Sequence, residues 1–204
     1  RDFDLRWQHV ALTFAAAIAS QAFWLRRLDL AGVGYLSAIV TGFGLSILVR
    51  SDNLWVHPLL AALAISSKFT LRIDGRHVFN PANLGAVLAA WALPGAWISP
   101  GQWGSDLAAG AWFLAMGSLV TGRAKRIDAG WCFLMFFMAL ASLRVIVLGQ
   151  PLGVIANQAT NGALLLFAFF MISDPMTTPL HRHARIGYCA LVAAAAFLWQ
   201  YALF

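Results

Sequence analysis

The chain of 204 residues is 61% hydrophobic and only 11% charged, whereas globular domains carry about a quarter charged residues, so an ordinary water-exposed domain is excluded. Its formal charge of +6 needs no nucleic-acid partner, because positive-inside bias and anionic lipid headgroups account for it. All eight acidic residues are Asp; no carboxylate pair stands close in sequence for acid–base work, and no Ser/His/Asp or metal-ligand spacing occurs, which disfavours hydrolase chemistry and gives no metal site.

Apolar windows near the length of a bilayer-crossing helix recur from end to end. They predict spans at 8–25, 30–49, 54–71, 83–99, 106–122, 129–147, 153–173 and 186–203. The reading is an all-α polytopic membrane protein with about eight transmembrane segments. It forms a single transmembrane domain over 1–204, with halves near 1–105 and 106–204. The chain begins at Arg1 rather than Met, without a signal-peptide pattern, and is read as lacking an N-terminal piece.

In chain order, His9 in the first window and His57 in the third lie near span ends. Axial ligation of a haem is chemically open to such histidines, and interfacial hydrogen bonding is the plainer alternative. The second window is lined by Gly32, Gly34, Gly42 and Gly44 with Ser37 and Ser46, small residues that let helices approach closely. Asp29, Asp52, Asp106 and Asp128 each precede an apolar run, as N-caps do. Six tryptophans (Trp7, Trp24, Trp55, Trp97, Trp103 and Trp199) fall near span ends, the pattern of an aromatic belt. Cys132 and Cys189 sit in apolar segments and read as small hydrophobes. Arg144 lies inside a span and must snorkel or find an internal partner. His181 and His183 flank Arg182 in a basic loop, where contact with lipid phosphate outweighs metal binding. Alternate connections hold Arg26, Arg27, Lys68, Arg72, Arg76, Arg123, Lys125, Arg126, Arg182 and Arg185. That bias places the basic loops in the cytoplasm and makes the chain multi-pass, with the lipid bilayer as its first partner.

Two interruptions break the apolar pattern: Asn80–Pro81 in "RHVFNPANLG" and Asp174–Pro175 in "FMISDPMTTP". Proline lacks a backbone N–H and disfavours helix in the residue before it, so both sites predict broken helices. In a membrane, broken backbone survives only where protein buries it or a polar cavity meets it. Paired interruptions are a sequence pointer to a binding site in transporter-like folds. The candidate cofactor-binding residues are Asn80, Asp174, Thr177 and Thr178 at the breaks, with Lys68, Arg76 and His77 as a basic rim for an anionic group. The alternative is that Asp174–Pro175 only ends a helix, with Thr177 and Thr178 capping the next one.

The stretches "SKFTLRIDGRHVFNPANLG", "WISPGQWGS" and "GALLLFAFFMISDPMTTP" resemble the RnfD/NqrB family, the membrane subunits of the Rnf electron-transport complex and of the sodium-translocating NADH:quinone reductase. They are closest to the stand-alone RnfD-like proteins labelled as enediyne-biosynthesis proteins. The resemblance implies a urea-transporter-like fold with an internal repeat and a place in the bacterial inner membrane. It also implies a role in membrane electron transport beside other membrane subunits, as an electron-transfer or non-catalytic chain rather than a stand-alone enzyme. Family members of the respiratory complexes attach FMN to the Thr of an SGAT stretch, and this chain has none; 94–110 reads "PGAWISPGQWGSDLAAG". Covalent FMN is therefore not expected. A non-covalent flavin or quinone at the breaks is the first reading, an accessory subunit without its own cofactor the second, and a solute or ion transporter the third.

Overall fold

The computed structural model describes residues 6–30, 33–99 and 107–203. The chain separates into two compact units, Arg1–Gln102 and Trp103–Phe204.

In the first unit the helices are α1 (Trp7–Arg27), α2 (Leu36–Leu48), α3 (Val56–Thr70) and α4 (Pro81–Ala92). Four short strands accompany them: β1 (Val49–Ser51), β2 (Arg72–Ile73), β3 (Arg76–His77) and β4 (Ala96–Ile98). α1 packs on α2 and α3, and α4 packs on the same two helices. Small residues at the contacts, among them Ala17, Ala38, Ala61, Ala64 and Ala89, are fully buried and let the axes approach. Gly44 marks a close approach of α2 to α4, because a Cβ there would stand 2.8 Å from that of Ala82.

α2 runs directly into β1, which pairs antiparallel with β4 in the register Val49–Ile98, Arg50–Trp97 and Ser51–Ala96. Ser99 N–H extends the ladder to Leu48 C=O at 2.9 Å, and Asp52 N–H extends it to Gly95 C=O at 3.1 Å. The ladder thus satisfies backbone groups that the buried end of a short helix would leave bare. Asn80 caps α4, its side chain accepting from Asn83 N–H at 3.1 Å. Pro81 occupies the first helical position, where a missing N–H costs nothing. Between α3 and α4, β2 and β3 form a hairpin whose tip residues Asp74 (φ 50°) and Gly75 (φ 77°) are both left-handed, as a tight hairpin turn requires.

The second unit holds α5 (Leu107–Arg123), α6 (Ile127–Val147), α7 (Gly153–Ala159), α8 (Gly162–Leu166) and α9 (Arg182–Leu198). α8 continues into a π-helical turn, Phe167–Met171, and α9 into another, Trp199–Leu203. Asn161 caps α8 by accepting from the N–H groups of Ala163 and Leu164. The first π-turn is packed by α5 and α6 and seats the buried Phe169 against Gly130 of α6. A Cβ on Gly130 would stand 2.8 Å from the Phe169 ring and 2.9 Å from the Ala168 carbonyl oxygen.

The described residues do not form eight membrane-crossing helices. Among the described residues one helix, α6, is long and apolar enough to cross a bilayer, or two if the pair α7 and α8, bent by 43°, counts as one span. The window 30–49 resolves into the 13-residue α2 plus β1, and 83–99 into the 12-residue α4, a turn and β4. With α3 at 15 residues and α5 and α9 at 17 each, these fall short of the roughly 20 residues a crossing needs. α1 has 21 residues, but His9, Gln21, Arg26 and Arg27 dilute its apolar character. The strands also correct the all-α expectation. Window hydropathy cannot separate a helix from a shorter helix followed by an apolar strand.

The aspartate caps are corrected too. Asp29 lies beyond α1 in the left-handed region, the N-cap residues of α2 and α3 are Tyr35 and Trp55, and Asp128 sits inside the first turn of α6. Arg1, Gly32, Trp103 and Asp106 lie outside the described residues.

Candidate functional site: a polar core in the first unit

α1 buries one residue in four along a single face: His9, Thr13, Ala17 and Gln21. Three of these are polar, and each finds its chemistry on a neighbouring element.

At the start of the stripe, the Thr13 hydroxyl donates to the His9 carbonyl at 2.7 Å and lies 3.0 Å from Nδ1 of His57 on α3. The His9 and His57 rings stack, with centroids 4.4 Å apart and planes 16° from parallel.

Arg50 on β1 is itself buried, and its Nη1 donates to the carbonyls of Ser46 and Val49, both at 2.7 Å. It thereby places a cation at the negative end of α2, where the helix dipole favours one.

At the other end of the stripe, Gln21 Oε1 accepts from Lys68 Nζ at 2.8 Å, and the same ammonium donates to Ser37 Oγ at 2.8 Å. Gln21 Nε2 donates to the Gly34 carbonyl at 3.2 Å. This triad ties α1, α2 and α3 together. Beside it Trp24 Nε1 donates to Ser66 Oγ at 2.9 Å, and the indole stacks on Phe69.

Of the residues read from sequence, Lys68 thus lies at the end of α3, directed at Gln21 and Ser37. Arg76 and His77 form β3, with His77 Nδ1 2.9 Å from the Phe79 carbonyl, and Asn80 follows as the cap of α4. These three are neighbours on one short connection. Asp174, Thr177 and Thr178 belong to the second unit. Asp174 Oδ1 accepts from Met176 N–H at 2.9 Å, and the Asp174 carbonyl accepts from the Thr178 hydroxyl at 2.9 Å and the Thr177 hydroxyl at 3.3 Å. That is a self-closing turn in which Thr178 is fully buried.

The turn is anchored from α9. Arg185 Nη1 donates to the carbonyls of Pro179 and Leu180, while Nε and Nη2 grip the Asp128 carboxylate, the shortest contact being 2.6 Å. Arg144, placed in a span by sequence, has internal partners: its Nη1 donates to Gln150 Oε1 at 3.0 Å, and its guanidinium lies 4.4 Å from the Tyr201 ring centre. Cys132 and Cys189 are free thiols, and His181 and His183 are exposed at the start of α9.

The polar stripe is the feature that residue-by-residue reading misses. Its signal is the spacing of His9, Thr13 and Gln21 by four and then eight residues, which puts polar groups on one helix face. His9 and His57, expected at an interface, are instead buried together.

A scan of family models and searches of curated proteins and of solved structures returned no match for this chain. The likeness to RnfD/NqrB proteins rests on the quoted motifs.

Proposed function

We propose that this chain is a membrane-embedded helical subunit of the RnfD/NqrB kind. It serves membrane electron transport inside a larger assembly and holds any flavin or quinone without a covalent bond. The observation that carries the reading is the inverted polarity of α1. It buries His9, Thr13 and Gln21 while exposing Leu12, Ile18 and Phe23, the last at 60%. A helix facing water does the reverse. Polar groups turn inward and pair when the surroundings are lipid or the apolar surface of a neighbouring chain. α6 agrees: Met135, Leu143, Ile146 and Val147 are all exposed. The Lys/Arg-rich connections, directed to the cytoplasm of a bacterial inner membrane, would meet anionic headgroups.

A second reading, an accessory subunit with no cofactor of its own, is favoured by one observation. The Asn80 and Asp174 side chains at the two breaks are both engaged in closing their own turns. Expression followed by alkaline carbonate washing tests the membrane reading. The protein should stay in the pellet until detergent is added, and folded protein in the wash would end the proposal. Mass spectrometry of the detergent extract separates the two versions. Flavin or quinone with companion polypeptides supports the first, and companions without cofactor support the second.

A further inference from the structure

The His57 cluster carries an inference that the electron-transport reading does not use. The Thr13 hydroxyl has one proton to give. It lies closer to the His9 carbonyl (2.7 Å) than to His57 Nδ1 (3.0 Å). With the proton committed to the carbonyl, the Thr13 oxygen is an acceptor toward His57, so Nδ1 carries the ring N–H. In a neutral imidazole the second nitrogen, Nε2, then presents a lone pair. That atom is buried, in a residue 2% exposed, and has no hydrogen-bond partner among the described residues. Leaving a polar atom so placed unmatched costs about 1–3 kcal/mol. The stacked His9 ring covers one face of the imidazole.

The surroundings narrow the choice of donor. The charged and titratable groups acting on His57 are His9 and Arg50. Neither is anionic, and the Arg50 cation opposes a second positive charge beside the ring. Among the described residues no three side chains converge as metal ligands. A metal ion or an ammonium group is therefore disfavoured, and a neutral donor remains.

We infer that His57 Nε2 is a buried acceptor site for a neutral O–H or N–H donor, held in the accepting tautomer by Thr13. A bound water and the hydroxyl or amide of a small organic ligand share this chemistry. The inference does not depend on the membrane reading.

Nitrogen NMR of the full chain labelled with 15N-histidine, in detergent, tests it directly. The His57 signals, assigned by their loss in His57→Gln, should show protonated Nδ1 and an Nε2 shifted by an accepted hydrogen bond. Thr13→Val should move the population toward the Nε2–H tautomer, and Thr13→Ser should restore it. A water source predicts an unchanged Nε2 signal after exhaustive washing, with exchange to solvent. An organic source predicts a signal that changes on washing and a small molecule in native mass spectra that disappears in His57→Gln. An Nε2–H tautomer in the wild-type protein, or a bare Nε2 before and after washing, would overturn the inference. The wild-type measurement stands even if a variant fails to fold.

Discussion

Asp128→Asn probes the joint that fixes the start of α9 to the start of α6. In the native pair Arg185 makes three contacts to the carboxylate at 2.6–3.1 Å and two to loop carbonyls, with side-chain exposures of 8% for Arg185 and 22% for Asp128. Removing one partner of a buried ion pair typically costs about 3–5 kcal/mol, because the surviving charge is left uncompensated. Two features lower the figure here. Asp128 retains some solvent access, and an Asn oxygen still accepts one of the lost hydrogen bonds. A loss of roughly 2–3 kcal/mol is expected, measured by equilibrium unfolding of the detergent-solubilised protein. The paired variant Asp128→Asn/Arg185→Met removes the orphaned charge, so its cost should fall clearly below the sum of the two single changes. Arg185→Met alone should additionally loosen the 174–180 turn, seen as faster proteolysis there, whereas Asp128→Asn leaves the bonds to Pro179 and Leu180 in place. If Asp128→Asn unfolds within about 0.5 kcal/mol of the parent, or if the single costs simply add, the bridge is not the anchor described.

Gly130→Ala should cost about 1–3 kcal/mol, since the new methyl meets the Phe169 ring and the Ala168 carbonyl; unchanged melting would show that the π-turn can retreat. Lys68→Met strips donors from Ser37 and from the fully buried Gln21 and should destabilise by about 1–3 kcal/mol, read in the same unfolding experiment. Asn80→Ala removes the α4 cap at about 1 kcal/mol, and Asn80→Asp should restore most of it.

The boundary at Asn80–Pro81 could be read from sequence because proline's missing N–H and the preference of Asn for the cap position are local properties. The α2–β1 junction could not: Leu48 and Val49 are both apolar, and only pairing with a distant segment decides that one is helix and the other strand. The Arg185–Asp128 pair joins residues 57 apart, beyond any spacing rule, so sequence presents them separately, as a loop charge and a cap. Arg50 falls between two apolar windows, yet the Ser46 and Val49 carbonyls it holds give it a buried place. The polar stripe of α1 is written in its spacing. Its partner His57 is not, because stacking across two helices depends on how they pack.

The pairing of β1 with β4 has a mechanical side. It buttons the tail of α2 to the strand that follows α4, so the two short helices cannot slide past one another without unzipping that ladder. Motion in this unit is better sought at the exposed Asp74–Gly75 tip, which closes a much shorter hairpin. A single cut there would sever the backbone yet leave both halves of the unit clipped together.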